Sequence, residues 1–164
     1  MLKLIQYMYK ICLIVIGKQK NGSHQEICDD YLKRLKSDAA IKIIELTETP
    51  FHSIAEKGKV LKTETEKIRM AIPKDSFVIV LEATGKTFAS ETFAAKLEQW
   101  SENGARPLTI VIGGPLGLSD DLKKEADLLL SLSPMTMPHD LARVVLLEQL
   151  YRATTILRGK VYHY

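Results

Sequence analysis

Cysteine is scarce in this 164-residue sequence, which contains only Cys12 and Cys28. Their spacing does not match that of paired metal ligands, so we expect two reduced thiols in a cytoplasmic protein and no metal site. Long apolar runs are also missing, since no segment reaches the ~20 residues that a membrane-spanning helix needs. The apolar N-terminal stretch is interrupted by Gln6, Tyr7 and Lys10. With no small-residue cleavage site after it, a signal peptide is disfavoured, and no membrane contact is expected.

Net charge is small, at +3 from 23 basic and 20 acidic residues. The basic excess lies in residues 1–36 and 139–164, whereas residues 82–131 are acidic on balance. Basic ends are compatible with an RNA partner, but a charge of +3 does not establish one. The length and the absence of repeats predict one domain over residues 1–164, with residues 1–8 as an N-terminal extension.

Short apolar runs alternate with amphipathic segments along the chain. Strands are predicted at Tyr9–Ile16, Ile41–Leu46, Phe77–Leu81, Leu108–Ile112 and Leu128–Ser131. The first helix is predicted to run from a capping box at Ser23–Glu26 to about Lys36, with Ile27, Tyr31, Leu32 and Leu35 facing inward. A second is predicted from Ile54 to Met70, and a third from a cap at Ser90 towards Gly104. Two more are predicted over Asp120–Ala126 and after Pro138. This alternation predicts an α/β fold, a mostly parallel sheet with helices on both faces.

Three loops should meet where the parallel strands end, because ligands in such sheets bind beyond the carboxyl ends of the strands. They are residues 81–90, 113–119 and 132–138. The first is not a phosphate-binding P-loop, since Val80 stands where that motif needs glycine. The adjacent glycines Gly113 and Gly114 do not fit the dinucleotide fingerprint either. They indicate either a tight turn or the close approach of a flat ligand.

The last helix is apolar nearly all round. At about 100° per residue, His139 lies on the same face as Arg143, along with Leu146, Leu147, Leu150 and Thr154. Such a helix is a core element or is clamped on two sides, for example by a second subunit. On periodicity alone the favoured interpretation is a core histidine with structural ion pairs, Asp140 with Arg143 and Glu148 with Arg152. Met135 and Met137, just before the helix, either fill the core or form an apolar wall for a ligand.

Several motifs together resemble one family. They are Gly113-Gly-Pro-Leu-Gly-Leu118, Ser131-Leu-Ser-Pro-Met-Thr-Met-Pro-His139, Arg143, Leu147-Glu-Gln-Leu-Tyr-Arg-Ala153 and Tyr162-His163, with further likeness at residues 31–35 and 81–86. In this order they are similar to the bacterial ribosomal RNA large subunit methyltransferase H family, of the SPOUT class of knotted methyltransferases. The resemblance runs from about Tyr9 to the end of the chain.

The resemblance implies an enzyme that transfers a methyl group from S-adenosylmethionine to N3 of a pseudouridine in 23S rRNA on the assembled ribosome. It also implies a homodimer and a C-terminal deep trefoil knot. Cofactor contacts would fall on Leu81, Gly113, Leu132, Ser133, Pro134, Met135, Thr136 and Met137. The acceptor side would use His139, Arg143, Arg152, Tyr162 and His163, partly from the second subunit. The alternatives are a transfer RNA methyltransferase of the same class and a non-catalytic RNA-binding or ribosome-assembly factor.

Overall fold

The computed structural model describes residues 8–161, so Tyr162, His163 and the first seven residues lie outside it. The described chain alternates strands and helices. In order these are β1 (Tyr9–Ile16), α1 (Gly22–Leu35), β2 (Ala39–Leu46), a short 3₁₀ turn (Ile54–Glu56), α2 (Lys57–Ala71), β3 (Phe77–Lys86), α3 (Ser90–Trp100), β4 (Leu108–Ile112), α4 (Asp120–Glu125), β5 (Leu128–Leu130) and α5 (His139–Leu157). No helix within residues 8–161 combines the length and the apolarity needed to cross a membrane.

The five strands form one parallel sheet in the order β2-β1-β4-β3-β5. Ile14 of β1 lies between Ile44 of β2 and Val111 of β4. The central strands are almost wholly buried, as continuous apolar runs predict for strands covered on both faces. The predicted α/β class is therefore confirmed. The trefoil knot stays a prediction, because strand order and register do not test it.

Helices cover both faces of the sheet and create two separate cores. On one face α1, α3 and α5 bury the larger cluster, which includes Leu35, Leu97 and Leu147. On the other face α2 and α4 contribute Ile68 and Leu122 to the smaller cluster. The carboxyl edge of the sheet is left open between these layers, and this is where a ligand can enter.

Helix α5 lies between α1 and α3 on the sheet, which explains its broad apolar surface. Leu146, Leu147 and Leu150 are buried, and the ring of Tyr151 lies 6.0 Å from that of Tyr31 in α1. The predicted clamping on two sides is thus provided within one chain. Leu141 remains 37% exposed on the outer side of the helix.

The predicted start of α1 and the inward placement of Ile27 are wrong, whereas Tyr31, Leu32 and Leu35 pack in the larger core cluster as predicted. Asn21 caps the helix by accepting a hydrogen bond from the backbone N–H of His24 at 3.2 Å, so Ser23 lies inside the first turn. The extended backbone of Asn21 is typical of a residue that caps the start of a helix. Ile27, predicted to face inward, is 42% exposed because Cys28 takes the buried position.

Both cysteines, Cys12 and Cys28, are buried and form no disulfide. Burial raises the pKa of the Cys28 thiol.

Two boundaries around β3 and α3 also differ from prediction. β3 continues to Lys86 through a register shift, where a loop from Glu82 was predicted. Ser90 does not cap α3, whose cap residue Ala89 offers no side-chain acceptor. The Ser90 hydroxyl instead donates to Gln149 of α5 at 3.4 Å, so it helps to hold the two helices together.

Candidate functional site

A cavity of about 480 Å³ lies at the carboxyl ends of β3, β4 and β5. Its walls come from the three loops that were predicted to meet. The lining residues are Leu81, Glu82, Ala83, Ile112, Gly113, Gly114, Pro115, Gly117, Leu118, Leu130, Leu132, Ser133, Met135, Thr136, Met137, Pro138, His139 and Ala142. A cleft of this size with a mainly apolar lining is typical of a site for a small organic ligand.

The end of β3, whose residues Leu81, Glu82 and Ala83 line the cavity, is hydrogen-bonded to the segment that follows β5. The Ser131 backbone N–H donates to the carbonyl oxygen of Lys86 at 2.9 Å, and the Ser131 hydroxyl donates to that of Ala83 at 2.9 Å. Gly85 allows this approach, because a Cβ there would lie 2.7 Å from backbone atoms of Leu129. The bulged end of β3 is therefore held firmly against the chain that leads to α5.

The second wall is the turn after β4. Gly117 adopts a φ of +79°, and its N–H donates to the carbonyl oxygen of Gly114 at 3.0 Å. A Cβ at Gly113 would lie 2.8 Å from a side-chain carbon of Leu118. The turn itself accounts for these glycines, whether or not a ligand approaches them. A 2.6 Å hydrogen bond between the hydroxyls of Thr65 and Ser119 ties the turn to α2.

Most of the predicted cofactor-binding residues come together in this cavity. Seven of them form part of its lining: Leu81, Gly113, Leu132, Ser133, Met135, Thr136 and Met137. Pro134 is exposed and does not contribute to the lining. Met135 is 79% exposed, so it does not fill the core, whereas Met137 packs against the larger core cluster. The two methionines therefore have different environments within one wall.

His139, the first residue of α5, also lines the cavity. Its Nε2 lies 2.8 Å from Oδ1 of Asp140, but the two atoms are not aligned as a hydrogen bond. Both atoms are buried and without a hydrogen-bond partner among the described residues. The N–H groups of the first turn of α5 have no intrahelical partner either. The first turn of α5 therefore offers backbone N–H groups at this end of the cavity.

Arg143 lies one turn further along α5 and outside the cavity lining. It pairs with Glu45 of β2, not with Asp140 as predicted, through a 2.6 Å contact between Nη1 and Oε1. Its Nη2 also donates to the carbonyl oxygen of Gly17 at 3.4 Å. Burial would raise the pKa of the Glu45 carboxyl, but hydrogen bonds from Arg143 and from the Gln19 backbone hold that pKa below its usual value. Arg143 thus links α5 to the ends of β1 and β2.

Arg152 is also not part of the cavity lining. It donates to Oε1 of Glu148 from Nε at 3.0 Å and from Nη2 at 2.6 Å, which confirms the predicted ion pair along α5. Within the described chain, the cavity therefore includes His139 but neither of the two arginines. Tyr162 and His163, the remaining acceptor-side predictions, lie outside the described residues.

Glu82 is a lining residue that the sequence did not single out. Its Oε2 lies 2.5 Å from Nζ of Lys123 in α4. The hydrogen bond from Lys123 holds the pKa of the Glu82 carboxyl below its usual value, against the opposing effect of partial burial. An acidic residue directly after the apolar run of β3 could have drawn attention to it, because that position lies at the ligand-binding edge.

Fold and cavity together define an α/β protein with a small-molecule site at the carboxyl edge of its sheet. No group of three or more His, Cys, Asp or Glu side chains suited to a metal ion occurs within residues 8–161.

Comparison with known proteins shows which family within this class the chain belongs to. The model of a family described as "Predicted SPOUT methyltransferase" matches residues 9–163. The ribosomal RNA large subunit methyltransferase H of Streptococcus pneumoniae is 43% identical over 157 residues, covering 94% of this chain and 99% of the relative. That of Syntrophotalea carbinolica is 41% identical over 159 residues, covering 94% and 98%. This chain belongs to the SPOUT methyltransferase family, and it is a methyltransferase with S-adenosylmethionine as its methyl donor.

The fold agrees with that assignment. A crystal structure of a "Probable Methyltransferase" from Bordetella pertussis Tohama I superposes with a TM-score of 0.57 at 11% identity, covering 89% of this chain and 95% of that one. At this identity the likeness concerns the fold alone.

Proposed function

We propose that this protein methylates N3 of a pseudouridine in 23S rRNA on the assembled ribosome, in the cytoplasm and as a homodimer. The proposal is supported by relatives that are 41–43% identical over nearly their whole length and are named for ribosomal RNA methylation. The observation that carries it is the cavity, whose lining includes seven of the eight residues predicted to contact the donor.

The cavity fits S-adenosylmethionine in size and chemistry. Its volume of about 480 Å³ lies in the range of sites for drug-sized ligands. Glycine-rich backbone after β4 and the apolar side chains of Leu81, Leu132 and Met137 suit a flat adenine ring. The free N–H groups at the start of α5 suit a carboxylate, since the N-terminal end of a helix is positive.

The protein's task in this reaction is positioning. When bound, S-adenosylmethionine supplies an electrophilic methyl group, whose bond to sulfur breaks as a bond to N3 of the base forms. The enzyme must hold the two reacting atoms in line and exclude water, which can account for much of the rate enhancement. The N3 proton has to leave to a base, and a nearby cation would stabilise the resulting anion.

We assign the acceptor side to both subunits. His139 lines the cavity, and His163 is the candidate base at a position outside the described residues. Arg152 is the candidate cation, and because it lies away from the cavity of its own chain it would act on the partner's. Arg143 would act indirectly, by fixing α5 against β2. The outer side of α5, where Leu141 is exposed, is the proposed contact between subunits.

Transfer of a labelled methyl group to ribosomes tests the proposal. We expect labelling of ribosomes whose 23S rRNA has been pseudouridylated, and little labelling of unmodified ribosomes or free transfer RNA. Labelling of transfer RNA alone would favour the other enzyme of the same class. Failure to bind S-adenosylmethionine in a calorimetric titration would favour a non-catalytic RNA-binding factor.

A further inference from the structure

We propose that Glu82 makes the cavity prefer the cationic methyl donor over the demethylated product, S-adenosylhomocysteine. The inference rests on the proposed use of S-adenosylmethionine at this site. Donor and product differ by one methyl group and one positive charge, since the donor carries a sulfonium and the product a neutral thioether. A fixed negative charge in the wall is therefore able to distinguish them.

Glu82 is placed to supply that charge. It is the only acidic residue in the lining formed by the described chain, and that lining contains no lysine or arginine. Its side chain is only 20% exposed, so water screens it incompletely. It follows directly on Leu81, itself a predicted donor contact, at the end of β3.

Lys123 keeps the carboxylate ionised and in place. Its Nζ contacts Oε2 of Glu82 at 2.5 Å, and its side chain is 25% exposed. Because Lys123 is not part of the lining, its charge opposes the field of Glu82 without contact with the ligand. The lysine therefore reduces the preference for a cation but does not abolish it.

Coulomb's law sets the size of the effect. With an effective dielectric constant of about 40 and a separation of about 8 Å, two unit charges interact strongly enough to change a binding constant about fivefold. Because Lys123 partly opposes this charge, we expect the wild-type cavity to prefer the donor about two- to fivefold.

Two substitutions with opposite expected effects separate this role from a structural one. Glu82→Gln removes the negative charge and leaves that of Lys123, so it should lower the ratio of donor affinity to product affinity about fivefold, the full contribution of Glu82. Lys123→Met removes the opposing positive charge and should raise the same ratio. Each change breaks the same ion pair, so a purely structural role would shift donor and product affinities together in both variants.

Isothermal titration of wild type and variants with S-adenosylmethionine and S-adenosylhomocysteine measures the ratio directly. Glu125→Gln is the matched control, since it removes an acidic charge from α4, the helix that carries Lys123, at a position outside the lining. Its ratio should match that of wild type. Equal losses for both ligands in Glu82→Gln, or a ratio that does not rise in Lys123→Met, would overturn the inference. If wild type bound neither ligand, the proposed function itself would fail; if it bound both with a ratio unaffected by Glu82→Gln, only the present inference would fail.

Discussion

The ion pair between Glu45 and Arg143 should be a strong link between α5 and the sheet. Arg143 has a side chain only 3% exposed, whereas that of Glu45 is 32% exposed. Removing either partner leaves the other without its charge partner. We therefore expect Glu45→Gln and Arg143→Met each to destabilise the fold, and the double variant to lose less than the sum of the two.

The magnitude follows from the unequal burial of the two side chains. A hydrogen bond to a charged group contributes about 1.5–3 kcal/mol, and breaking a fully buried pair costs about 3–5 kcal/mol. Because water can solvate Glu45 in part, the coupling free energy between the two sites should be about 1–2 kcal/mol at pH 7. In Glu45→Gln the amide oxygen still accepts from Arg143, so that variant should be the milder one.

The coupling should depend on pH in a defined direction. The pKa of Glu45 is held below its ordinary value of 4.5 in the folded protein. A carboxyl whose pKa is lowered by folding stabilises the folded state at pH values above its pKa in the unfolded chain. That contribution is lost as the pH falls through the pKa of the folded state. We therefore expect full coupling at pH 7 and a decline below about pH 4.5.

Urea unfolding followed by Trp100 fluorescence provides the assay, since this is the sole tryptophan and stacks on Phe77 with ring centroids 5.6 Å apart. Protein concentration must be held constant in case subunit association contributes. The same cycle on Arg69 and Glu125, an exposed pair, should give a smaller coupling. A Glu45–Arg143 coupling no larger than that of the exposed pair, or equal at pH 7 and pH 3, would refute the reasoning.

Two further predictions concern stability. Burial raises the pKa of the Glu64 carboxyl above its ordinary 4.5, so Glu64→Gln, which retains the acceptor for the Thr49 N–H, should raise the free energy of unfolding at pH 7. The gain should vanish below about pH 4.5, and urea titrations at several pH values would contradict this if the gain did not depend on pH. Gly85→Ala should destabilise the fold by about 1–3 kcal/mol, because the added Cβ would meet the backbone of Leu129. Gly58→Ala in α2 is the control and should not destabilise the fold, since the space around Gly58 is open. Equal changes in melting temperature for the two variants would contradict the packing explanation.

Elements with continuous apolar patterns could be predicted closely. The bounds of β1 and β4 match the prediction, because a strand buried on both faces is apolar throughout and stops where polar or glycine residues begin. The end of β3 could not be predicted in this way. Its last residues are held by Ser131 and by the fit of Gly85 against Leu129, contacts that join residues distant in sequence.

The candidate site could also be predicted only in part. The three loops could be placed at one edge because the carboxyl ends of parallel strands must meet there. The partner of Arg143 could not be predicted from the sequence. Asp140 is the nearest acidic residue on the same helix, whereas the actual partner, Glu45, is 98 residues away in the chain. The role of Lys123 beside Glu82 likewise depends on how α4 packs over the end of β3.

The sequence by itself determined the alternation of strands and helices, the parallel sheet and the loops that face one edge. Family membership, read from the C-terminal motifs, was also determined at that level. Only the tertiary structure decided which charges pair, where β3 ends and which residue lines the cavity with a negative charge. The physical reason is range: apolar periodicity encodes which face of an element is buried, whereas an ion pair needs two side chains brought together by the packing of separate elements.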